Sequence, residues 1–261
     1  MKLELVIPGL AEMTESIMAF QQEDTTPFWS ESLYRFYPRL DREYAMCLSF
    51  PEREGYLREK LARIYEEERD NLEEKRRSYA AHWQRCCPQI EEALSEAFDV
   101  NCKELLNDMV CHISLNPISP RFLREHSFEV FWLNSERGFV GTAIHEIIHL
   151  VWFHVWHQVF GDDWEEYEAP SLKWILSEMV VEPIMSDPRL AQINPYYPRE
   201  NGGCIYPYFF DMYAEGEPVL DTLTRMYRSQ DIRSFMKNSY AYCQKQEQQI
   251  RTHIAKAENR T

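Results

Sequence analysis

Glycine is scarce in this chain, with 8 residues out of 261 against 14 prolines. A sandwich or barrel of many tight turns draws on glycine for positive φ, so such an architecture is disfavoured. Positive charge is also in short supply: 28 Lys and Arg face 43 Asp and Glu, a formal net charge of −15. A polyanion would be repelled by that field, which excludes nucleic acid as the expected partner. No stretch approaches the roughly 20 successive apolar residues needed to span a bilayer. The opening segment Met1–Pro8 is interrupted by Glu4 and Pro8, so it lacks the apolar core of a secretory signal. The expected setting is cytoplasmic, with no membrane partner. The seven cysteines (47, 86, 87, 102, 111, 204, 243) show no zinc-knuckle spacing. With an odd count and no export signal, they are expected as reduced thiols. Internal repeats and low-complexity segments are absent as well.

What is present is a soluble globular composition, 44% hydrophobic and 27% charged. It is rich in aromatics (15 Tyr, 14 Phe, 7 Trp), which can fill a core or line a cleft. The pattern predicts a short strand over residues 1–8 and mixed short helices to about 50. A strong helix follows over 54–87, carried by Leu57, Leu61, Ile64, Leu72, Tyr79 and Trp83 among charges. Pro88 is expected to end it, with a second helix over 89–107. Strands are predicted at 110–115 and 128–133. A long helix over 139–160, closed by Gly161, an acidic loop, and a helix over 171–182 weakened by Pro183 come next. Residues 217–257 read as helical. This is an α+β pattern, mostly helical with a small mixed or antiparallel sheet. No composition shift marks a domain boundary, so one domain over 1–261 is expected, with a core at about 89–186 and a helical C-terminal part at 187–261.

The chemistry sits at His145-Glu146-Ile147-Ile148-His149, an H-E-x-x-H sequence inside the best-supported helix. Positions i and i+4 lie on one helix face about a turn apart, so both imidazoles can reach one metal ion. Glu146 stands about 100° round the helix, beside the ligands, where it can take a proton from an attacking water. Catalytic zinc takes three protein ligands. His154 and His157 are rotated away from His149 on the same helix, so the third must come from elsewhere. Glu178 lies in the apolar stretch Trp174-Ile175-Leu176-Ser177-Glu178-Met179-Val180-Val181. A glutamate there is costly to bury unless it is paired or coordinated, and it is the expected third ligand.

H-E-x-x-H followed by a glutamate on the next helix resembles the gluzincins, the thermolysin-like zinc metallopeptidases. The resemblance covers about residues 89–186. It implies a zincin-like fold with Zn2+ on His145, His149 and Glu178, and Glu146 as general base in hydrolysis of a peptide or protein substrate. It further implies that Glu182, four residues beyond Glu178, orients His145, and that the strand at 128–133 is an edge strand to which substrate adds. Gluzincins supply an oxyanion donor from the C-terminal part, for which Tyr206, Tyr208, Tyr213 and His253 are candidates. The thermolysin-like interval between the second His and the Glu is shorter than the one here, and the Gly-x-Met-Glu-Asn stretch of gluzincin aminopeptidases is missing. Two other readings compete: a gluzincin-like zinc-binding regulatory module with little turnover, and a helical interaction protein carrying the motif by coincidence. The sequence leaves oligomeric state open.

Overall fold

A computed structural model of the chain describes residues 1–195 and 198–259. Its elements in order are β1 (Leu3–Val6), α1 (Leu10–Ala19), α2 (Pro27–Phe36), α3 (Arg42–Cys47), α4 (Phe50–Phe98) and α5 (Cys102–Leu105). Then come β2 (Met109–Ser114), β3 (Arg121–Phe122), β4 (Ser127–Phe131), α6 (Glu136–Phe160), α7 (Leu172–Met185) and α8 (Pro188–Ala191). The strand pair β5 (Tyr213–Ala214) and β6 (Glu217–Pro218) precedes α9 (Val219–Ser229) and α10 (Ile232–Glu258). Helix dominates, and the main sheet is small and mixed, in keeping with an α+β class.

The spine is α4, 49 residues long. Glu52 accepts a hydrogen bond from the Ser49 backbone N–H at 3.0 Å and fixes its start. Pro88 does not break it, contrary to expectation. Interior proline costs about 3 kcal/mol by losing one ladder bond and crowding the preceding turn. Here Tyr79 and Trp83 before it, and Ile90 and Leu94 after it, are buried in the same core, and that packing outweighs the local cost. Pro183 is likewise carried inside α7, a helix buried along nearly its whole length.

The sheet order is β1-β2-β4-β3, with β1, β2 and β4 parallel and β3 antiparallel to β4. β4, the expected edge strand, therefore has a neighbour on both sides. The outer position belongs to β3 and to the segment leading into it, because Pro120 accepts the Glu129 backbone N–H at 2.9 Å.

Helix α6 starts at Ser135, whose hydroxyl accepts the Gly138 N–H at 3.0 Å, and ends at Gly161 in the left-handed region at φ 70°. It is apolar on nearly every face because it is covered on nearly every face, by α4, β4, α7 and α10. Contrary to the expectation from the sequence, it is by length and composition alone long and apolar enough to cross a membrane, and 72% of its 18-residue apolar window is buried inside the protein. Tyr79 ties the β4–α6 connection to the spine. Its hydroxyl lies 2.9 Å and 2.6 Å from the Trp132 and Asn134 carbonyls, and its ring stacks on Phe139 at 4.4 Å.

Tyr79→Phe keeps the stacking and deletes the hydroxyl, removing the donor to the buried Trp132 carbonyl, while the Asn134 carbonyl keeps Lys75 Nζ at 2.8 Å. The expected loss is about 1–2 kcal/mol of unfolding free energy, read from denaturant titration. Unchanged stability would show that the hydroxyl does not anchor the connection.

Candidate metal centre

Two buried helices build the site. α6 presents His145, Glu146 and His149, and α7 crosses it with Glu178. His145, Glu146 and His149 offer ligand atoms within 4.8 Å of one another and are positioned to bind a metal ion. The Glu178 carboxylate closes the group from the other side. Its Oε2 lies 3.5 Å from His145 Nε2, and its Oε1 lies 3.5 Å from His149 Nε2. Glu146 Oε1 stands 3.9 Å from His145 Nε2, beside the group.

Hydrogen bonding decides which atoms are left to ligate. His145 places Nδ1 2.9 Å from the Cys204 carbonyl oxygen. A carbonyl only accepts, so Nδ1 carries the proton and Nε2 keeps its lone pair facing the group. His149 is fully buried, and neither of its ring nitrogens has a hydrogen-bond partner among the described residues; the same holds for Glu178 Oε2. A cation between the two helices would satisfy His149 Nε2 and Glu178 Oε2 together, leaving only the second ring nitrogen of His149 unbonded.

Burial drives the electrostatics. It pushes the Glu146 carboxyl up to about 7, against the pull of His145 and Arg121. Burial also takes His149 down to about 3, so that ring is neutral. For His145, burial works against the charged form but Glu146 and Glu178 outweigh it, and the pKa rises. Burial opposes ionisation of Glu178 too, yet the carboxyl is held well below its ordinary range by His149, Arg121 and His145. Because His149 is neutral, we assign that effect chiefly to the permanently charged Arg121, whose Nη1 donates to Glu178 Oε1 at 2.6 Å.

Glu182 does not orient His145. Its carboxylate takes the Arg199 guanidinium, with Nε at 3.0 Å, while Cys204 supplies the His145 acceptor. Among the donor candidates, Tyr206 lines the cleft beside His145 and Glu146. The Tyr208 hydroxyl is buried with no hydrogen-bond partner among the described residues and lines neither cavity at the site, Tyr213 is exposed on β5, and His253 Nε2 is bound to the Tyr208 carbonyl. His154 and His157 bond Gln158 and the Asp162 carbonyl, away from the group.

Two cavities, of about 760 Å³ and 430 Å³, meet at Trp29, Ile118, Ser119, His145, Glu146 and Tyr206. Each is within the size range of a small-ligand or peptide subsite. Arg121, Trp29 and the Cys204 carbonyl carry no sequence signal. They reach the site from a rim strand, from α2 and from a loop, and only the tertiary fold joins them. Comparison with known proteins adds no relative: no protein-family model, curated protein or solved structure matches the chain.

With His149 neutral and the His145 pKa raised, metal binding displaces one imidazole proton only at pH values below that raised pKa. Affinity should fall about tenfold per pH unit once the pH drops below the raised pKa of His145, measured by metal titration across a pH series. A slope of two would mean that both rings are protonated, and a flat profile would remove His145 as a ligand.

Proposed function

We propose that the chain is a zinc-dependent peptidase with a gluzincin-type ligand set of His145, His149 and Glu178 on a zincin-like fold. One observation carries the reading: the Glu178 carboxylate faces both imidazoles, with Oε2 3.5 Å from His145 Nε2 and Oε1 3.5 Å from His149 Nε2, at a cleft lined by His145, Glu146 and Glu178, behind which His149 is buried. Two nitrogens and one oxygen are also the donor set that suits zinc over calcium or magnesium. The Arg121–Glu178 ion pair is the feature that fits a purely structural cluster, but it satisfies one carboxylate oxygen and leaves Oε2 and His149 Nε2 without a hydrogen-bond partner among the described residues.

When bound, zinc would act as a Lewis acid on the substrate carbonyl and lower the pKa of a water molecule at the site. The chain's own residues supply the rest. Glu146 is 5% exposed, and its carboxyl is raised to about 7. It takes the proton of the attacking water and returns it to the departing amine. Burial and the neighbouring Glu178 and Glu146 hold Tyr206 well above an ordinary phenol, so it stays protonated as a donor to the developing oxyanion. The two cavities open on both sides of Glu146, which favours an extended peptide crossing the site over a small compact substrate. With β4 covered by β3, the rim segment 117–121 is the backbone that such a peptide would meet.

Glu146→Gln should retain zinc and lose at least about a hundredfold of peptide hydrolysis, assayed with denatured proteins and fluorogenic peptides. Equal turnover in this variant would eliminate Glu146 as general base. Tyr206→Phe should lower kcat by about 100-fold or more with KM little changed. A matched rise in KM instead would make Tyr206 a binding residue.

A further inference from the structure

Arg121 makes the shortest contact in the metal group, although it cannot be a ligand itself. It enters from β3 at the cleft rim, its side chain 8% exposed against 1% for Glu178. Nη1 donates to Glu178 Oε1 at 2.6 Å, Nη2 lies 3.5 Å from the Ser177 hydroxyl, and the guanidinium lies 5.8 Å from the Phe153 ring centroid. Its Nε is buried with no partner among the described residues. A guanidinium so desolvated is retained only if a carboxylate matches its charge, and Glu178 is the one in contact.

That contact makes the two oxygens of Glu178 unequal. Oε1 is taken by Arg121, whereas Oε2 has no hydrogen-bond partner among the described residues and faces His145 Nε2 at 3.5 Å. The group outside a metal ligand is ordinarily an acceptor that adds electron density, as the Cys204 carbonyl does for His145. Arg121 does the reverse. It draws charge away from the carboxylate and sets a full positive charge near the point where a divalent cation would sit, where like charges repel.

We propose that Arg121 is a resident cation of the metal site, which holds Glu178 ionised and in place without metal and limits how tightly a divalent ion is bound. The proposal rests on the reading of His145, His149 and Glu178 as the ligands. It makes Arg121 a positioning residue that keeps the site assembled while letting metal exchange. Removing its charge should leave the metal-free protein less stable and the metal more tightly held, two changes of opposite sign. A merely structural arginine would not produce that pair of effects.

The test uses the full chain, stripped of metal, as wild type, Arg121→Met, Arg121→Gln and Arg121→Lys. Zinc affinity is read by competition with a chromophoric chelator, and thermal unfolding is followed with and without zinc. Arg121→Met and Arg121→Gln should bind zinc about tenfold or more tightly than wild type, with a lower Tm when stripped and a larger gain in Tm on adding zinc. Arg121→Lys keeps the charge and should stay close to wild type in affinity. If Arg121→Met does not fold, the comparison of Gln with Lys decides the matter. Unchanged or weaker zinc binding in the neutral variants overturns the role of Arg121 and leaves the ligand set standing. Absence of zinc binding in wild type overturns the ligand set, and this proposal with it.

Discussion

Taking a carboxylate out of water costs several kcal/mol unless positive charge stands against it, and Glu178 is 1% exposed in the middle of an apolar helix. Everything around it answers that constraint. Arg121 supplies the contact cation, His145 and His149 present their Nε2 atoms at 3.5 Å, and α6 and α7 are packed closely enough to hold those distances. Without such partners the side chain would take up a proton or the helix would shift to expose it. The site is thus a consequence of where α7 places one charge, and the motif on α6 is the half of the arrangement that meets it.

The two acidic residues of the site are pushed in opposite directions. Glu178, ringed by cationic and imidazole groups, stays ionised and can serve as a ligand. Glu146, on the neighbouring helix α6 and dominated by burial, is raised to about 7 and is poised to exchange protons. Divergent environments for neighbouring carboxyls are how a protein divides ligand and base roles between chemically identical groups. A fixed tautomer at His145, set by a backbone carbonyl, completes the division.

Much of this was legible in the sequence where periodicity is strong. The helix of the H-E-x-x-H motif, the two strands before it, the glycine at its end and the Glu178-bearing helix all follow from residue spacing. The isolation of Glu178 in an apolar run also announced that it needed a partner. Proline misled at Pro88 and Pro183, because local propensity is a few kcal/mol and a buried helix packed on both sides of the proline overrides it. The edge-strand assignment failed at β4 because two-residue β3 is too short to leave a pattern. Glu182 was expected to orient His145, but Arg199, from a segment without periodicity, takes its carboxylate, and the Cys204 carbonyl serves His145. Arg121 and the Cys204 carbonyl were beyond reach: the one is an ordinary surface-type residue in a rim segment, and the other is backbone.

The convergence of His145, His149 and Glu178 on one ion is tested most directly by metal analysis of the chain purified without added zinc, alongside His149→Ala. One equivalent of zinc per chain, lost in His149→Ala while the protein stays folded, is the predicted result. Folded wild-type protein that carries and accepts no stoichiometric metal would contradict the account.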